Sequence, residues 1–90
     1  ARPTGPKPVT PTDGASLEAA RALPAEQARP SLLRSLEYFG AVRIDERMLR
    51  IPFGVGADAP SREVDSAEVE IEVLYEAAAA CIAQVSAAKR

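Results

Sequence analysis

The residues whose types and spacing suit chemistry lie in the second half of this 90-residue chain. Gly54-Val55-Gly56-Ala57-Asp58-Ala59 reads G-x-G-x-x-A after the apolar run LRIPF, a spacing that lets backbone approach a pyrophosphate when a helix opens at the glycines. Pro60 follows at once and no second parallel strand remains, so the stretch reads as a flexible connector between a hairpin and the last helix. Glu68, Glu72 and Glu76 form an i, i+4 carboxylate ladder. Di-metal sites built on such ladders recruit histidine, and the chain has none, which leaves a solvated acidic face. Cys81, the sole cysteine, sits at the edge of an Ala-rich apolar stripe, where it reads as a small core residue rather than a nucleophile. Without His, and without a Ser or Cys set beside a base, acid–base and nucleophilic catalysis lack their parts. The expectation is a non-enzyme with no cofactor, no metal and no small-molecule substrate.

Such a chain must act by what it packs against. Of its 42 apolar residues 18 are alanine, so only 24 larger side chains build the core, with no Trp, two Phe and two Tyr. A core that thin makes a partner surface a natural source of stability. The net charge of −2 excludes the strongly basic footprint of a histone-like protein but allows a local basic patch. Residues 1–60 carry eight Lys/Arg against seven Asp/Glu and residues 61–90 three against six, so the acid gathers at the C-terminal end. A single cysteine suits a reducing compartment. The expectation is a cytoplasmic protein, or one within a virion or other large assembly. No 18-residue apolar run and no charged head before an apolar core is present, so neither a membrane span nor a secretory signal is expected.

Organisation follows from the punctuation. Residues 1–14 hold four prolines and two glycines with Val9 as the one large apolar side chain; this predicts an extended arm, with residues 15–90 as one small domain. Ser16 is a plausible N-cap for a short helix bearing Leu17, Ala20 and Leu23 on one face, ended by Pro24. A second helix carries Leu32, Leu33, Leu36 and Phe39, with Pro24 and Pro30 as candidate first-turn prolines and Gly40 as its stop. Ala41–Phe53 admits two readings. As a hairpin, Val42 pairs with Ile51 and Ile44 with Leu49 around a four-residue turn, Asp45–Met48; as a helix, Ile44, Met48 and Ile51 align. The flanking Gly40 and Pro52 favour the hairpin.

From Asp65 onward the pattern predicts one long helix. Asp65 and Glu68 match a D-x-x-E capping box, Val64 and Val69 a hydrophobic staple, and Ile71, Leu74, Ala78, Ile82 and Val85 recur at helical spacing. Alternation at Val69, Ile71, Val73 and Tyr75 competes as strand over the first half. Val69, Val73, Ala80 and Ala87 form a second apolar side on this helix, more than a surface helix needs. The residues expected to meet a protein partner or a second copy are therefore Pro3, Pro6, Pro8 and Pro11 of the arm with Val69, Val73 and Ala80 of the helix.

Two family resemblances bear on function. SLEAARAL followed by PAEQARPSLLRSLEYFGAVRIDERMLRIPF, about Ser16 to Phe53, resembles the helix, turn, helix and wing of winged helix-turn-helix proteins. That resemblance implies DNA binding, with Arg29, Ser31, Arg34 and Ser35 toward the major groove and Arg43, Arg47 and Arg50 on or near the wing, against phosphates. Pro30 falls where the recognition helix should already be running, and residues 1–14 offer no counterpart of the family's first helix. Asp65-Ser66-Ala67 resembles the phosphopantetheine attachment motif of acyl carrier proteins, but only 24 residues follow Ser66, too few for the helices that such proteins place afterwards.

The sequence as a whole predicts an α+β fold: an extended Pro-rich N-terminal arm, two short helices, a β-hairpin and a long C-terminal helix. Its expected function is interaction, as a small structural subunit docking into an oligomer or larger assembly through the arm and the last helix. The alternative is a winged-helix DNA-binding regulator.

Overall fold

Helix α1 (Gly14–Arg21) starts three residues earlier than the Ser16 cap would set it, because Asp13 takes the N-cap position. In this computed structural model, which describes residues 10–88, the Asp13 carboxylate accepts the Ser16 N–H at 2.8 Å while the Ser16 hydroxyl oxygen accepts the Asp13 N–H at 3.1 Å. This reciprocal capping box satisfies two donors that a helix start leaves without partners. Helix α2 (Ala25–Tyr38) follows after Pro24, which stands at the N-cap. Pro30 lies inside α2 on its exposed side, where its missing N–H leaves the Glu26 carbonyl without a helical donor next to solvent. Gly40 ends the helix as predicted. Its φ of +117° lets its N–H reach the Glu37 carbonyl and the Ala41 N–H reach that of Leu36, the two bonds of a Schellman stop.

A three-stranded antiparallel meander comes next: β1 (Val42–Arg43), β2 (Met48–Pro52) and β3 (Ser61–Asp65), in that spatial order. The hairpin exists, but its register differs by one residue from the predicted pairing. Val42 lies opposite Arg50 and Arg43 opposite Leu49. The cause is a shorter turn. The Asp45 carboxylate accepts the N–H groups of both Arg47 and Met48 at 2.9 Å, and Ile44 N–H already bonds the Met48 carbonyl, so three residues make the connection instead of four. A one-residue slip moves a strand's side chains to the other face. Val42 and Ile44 consequently stay 54% and 45% exposed while Leu49 and Ile51 are buried, and Arg43 avoids standing opposite Arg50.

The last helix, α3 (Ile71–Ala88), is long as expected but begins six residues after Asp65. Residues 61–65 pair with β2 as β3, and Asp65 to Glu68 form a turn, so the predicted capping box serves a strand end rather than a helix start. The glycine-rich stretch accordingly joins β2 to β3, not a hairpin to a helix. It is fastened to α3: the Gln84 side-chain carbonyl accepts the Val55 N–H at 2.7 Å, and Cys81 lies against the Pro52 and Gly54 carbonyls.

Helices α1 and α2 pack against α3, and α2 and α3 both meet β2. Leu17, Leu32, Leu36, Leu49, Ile51, Leu74 and Ile82 fill the space between the helices and one face of the sheet, with Ala20, Ala28, Ala77 and Ala78 allowing close approach. Tyr75 ties α3 to the end of α1: its hydroxyl donates to the Ala20 carbonyl at 2.9 Å, and the Arg21 guanidinium stacks 4.6 Å over its ring. Among the described residues no helix is long and apolar enough to cross a membrane.

Candidate interaction surface

The free edge of β3 and the segment leading into α3 together form the candidate site. Along β3 the ladder bonds alternate. Phe53 N–H donates to the Pro60 carbonyl at 2.8 Å and Ser66 N–H to that of Arg47 at 2.7 Å, so residues 60, 62, 64 and 66 turn their backbone groups toward β2. Ser61, Glu63 and Asp65 turn theirs outward. The Asp65 carbonyl is taken by Val69 N–H at 2.8 Å, but the outward groups of Ser61 and Glu63 and the Asp65 N–H have no backbone partner among the described residues.

Beside this edge lies an open groove of about 460 Å³, bounded by β3, the turn and the first turn of α3. Val64, Val69 and Val73 supply its apolar surface. Val69 and Val73 are half-buried: each packs one side on the core and leaves the other in the groove. Glu63, Asp65, Glu68 and Glu70 line it with four carboxylates against the single guanidinium of Arg62.

Two arginines hold the turn that carries Val69. From α2, Arg29 reaches across and donates to the Val69 carbonyl at 2.6 Å, with the Ser66 carbonyl at 3.5 Å. From the hairpin turn, Arg47 bridges the carboxylates of Asp65, at 2.9 Å, and Glu68. The Ala67 N–H, together with Arg47 and the Glu68 N–H, holds the Asp65 carboxyl below the usual carboxylate range against an opposing desolvation. The Arg47 and Met48 N–H groups do the same for Asp45. The turn is thus fixed by charge on one side and by a guanidinium-to-carbonyl bond on the other.

The predicted site residues divide sharply by location. Pro3, Pro6 and Pro8 lie outside the described residues. Pro11 is fully buried, its carbonyl accepting the Ser35 hydroxyl, so it packs within its own chain. Val69 and Val73 meet in the groove, whereas Ala80, seven residues along α3 from Val73, is half-buried outside it. Ser31 and Ser35 are 3% and 0% exposed, which keeps both hydroxyls off the surface. Arg29 is turned inward to the turn. Arg34 is exposed on α2. Arg43 folds back on the Asp45 and Glu46 carbonyls, and Arg50 pairs with Glu63 at 3.1 Å. Sequence reasoning missed the roles of Arg29 and Arg47 in holding the turn, and it missed β3 as a free edge. The one local signal for that strand was the start set by Pro60, and the D-x-x-E match masked it.

Cys81 is buried as expected, and burial pushes its thiol above the ordinary cysteine value. The described residues contain no cluster of three or more His, Cys, Asp or Glu able to hold a metal ion. No family model, no curated protein and no solved structure matches the chain.

Proposed function

We infer that the chain is a non-enzymatic interaction module, a small structural subunit that docks into an oligomer or larger assembly. The supporting observation is the groove beside β3, where Val69 and Val73 leave apolar surface in water next to a strand edge whose outward Ser61 and Glu63 groups have no backbone partner among the described residues. The edge is a ready template for pairing and the apolar surface favours burial, so one docked segment would use both. Pro3, Pro6 and Pro8 would add contacts from the N-terminal stretch. The arginines that the winged-helix resemblance assigns to DNA have other roles here, apart from the exposed Arg34: Arg29 and Arg47 hold the turn, Arg50 pairs with Glu63 and Arg43 binds its own turn.

Sedimentation velocity over a range of concentrations tests the reading, alone and with candidate assembly partners, for the native chain and for Val73→Lys. Association that weakens at least tenfold in Val73→Lys supports it. A chain that stays monomeric and partnerless, or associates equally well as Val73→Lys, refutes it. Adding a mixed-sequence duplex to the same runs at two salt concentrations tests the DNA alternative, which requires comigration that salt reverses.

A further inference from the structure

The geometry points to a specific occupant for this groove: an extended segment of a partner protein, rich in lysine or arginine, that adds to β3 as a fourth antiparallel strand. The inference rests on the interaction reading above and names the chemistry of the partner. Three observations carry it.

The first is backbone chemistry. Ser61 and Glu63 present N–H and C=O outward at alternate positions, the pattern to which an extended peptide bonds. A helix docked here would leave those groups unpaired. The second is the surface beyond the edge. A strand added to β3 continues the sheet over the groove, so that every second side chain turns toward Val69 and Val73 and extends the layer formed by Leu49 and Val64. Small β-branched residues suit those inward positions. The third is charge. Four carboxylates line the groove against Arg62 alone. Arg47 and Arg50 engage three of these carboxylates, but Glu70 has no cation partner among the described residues, and acid still exceeds base.

The same charges argue against a second copy of β3 as occupant. Antiparallel self-pairing that uses the outward groups of this strand sets Arg62 opposite Arg62 when centred there, or Glu63 opposite Glu63 when centred one residue on. A basic strand from a different surface meets no such repulsion.

The test uses the full chain and an eight-residue peptide of alternating lysine and valine. Two controls accompany it: the same peptide N-methylated on the alternate amides that would face β3, and a glutamate–valine counterpart. Binding is followed by fluorescence anisotropy, and the exchange of individual amides by NMR. The expected result is saturable binding that slows exchange of the Ser61 and Glu63 amides at least tenfold. N-methylation and the glutamate peptide should each weaken binding at least tenfold, and Glu70→Lys, an exposed substitution, about three- to tenfold. Absence of binding overturns the inference, as does binding that leaves the Ser61 and Glu63 amides unchanged or survives N-methylation. If those failures occur while Val73→Lys still abolishes association in sedimentation, the strand inference falls and the interaction reading stands.

Discussion

Replacing Arg29 with methionine keeps most of the aliphatic stem and removes the guanidinium that joins α2 to the turn before α3. Two contacts are lost, and their geometry weights them unequally. The bond to the Val69 carbonyl is short, at 2.6 Å, while the one to Ser66 lies at the 3.5 Å limit and counts for little. A hydrogen bond to a charged donor contributes about 1.5–3 kcal/mol net, and half-burial places this one in the lower part of that range, about 1.5–2 kcal/mol. For a domain of this size that corresponds to a fall in Tm of roughly 6–16 °C. The comparison is Arg34→Met, which removes an exposed guanidinium from the same helix and should cost no more than about 0.5 kcal/mol. Urea unfolding followed by far-UV circular dichroism measures both variants, and amide exchange across residues 66–70 localises the loss. If Arg29→Met and Arg34→Met are equally stable, or if exchange at residues 66–70 is unchanged, the turn is not held by Arg29 and the groove loses its support.

Gly40→Ala should destabilise the chain by about 1–2 kcal/mol in urea unfolding; the site is sterically open, so the cost comes from the φ of +117° alone. Asp45 and Asp65 both have folded pKa values below those of the unfolded chain, so their contribution is present above the unfolded carboxyl range and is lost as pH falls through the folded values. The urea midpoint should therefore drop on acidification below about pH 4, and Asp65→Asn should flatten that dependence. Tyr75→Phe should cost about 0.5–1.5 kcal/mol, toward the low end because the Ala20 carbonyl keeps the Leu23 N–H, as read from thermal unfolding. The Cys81 thiol should react with Ellman's reagent only at the rate of unfolding in native buffer, and at once in 6 M guanidinium chloride, a concentration beyond the usual unfolding range of about 5 M.

Local chemistry alone determined a good part of this protein. The apolar spacing of Leu32 and Leu36, the stop at Gly40 and the helix-forming run after Tyr75 identify α2 and α3 because each depends on neighbours within one or two turns. The absence of histidine and the Ala-rich setting of Cys81 likewise shape the functional expectation before any fold is known. Asp65-Ser66-Ala67-Glu68 marks the limit of such reading, since an aspartate accepting N–H groups two and three residues on begins a helix or closes a turn with the same local bonds. Pairing with β2 decided between them: β3 bonds one edge of β2 and Val64 closes over Leu49, contacts between residues 15 apart in the chain. The hairpin register was decided differently, by a three-residue turn closed by the Asp45 carboxylate, a local bond that apolar alternation does not encode. Arg29 shows the same dependence at the level of one side chain. Its acceptor lies 40 residues away, and only the packing of α2 against α3 brings the Val69 carbonyl within reach, because a hydrogen bond is specified by where two groups meet and not by where either stands in the chain.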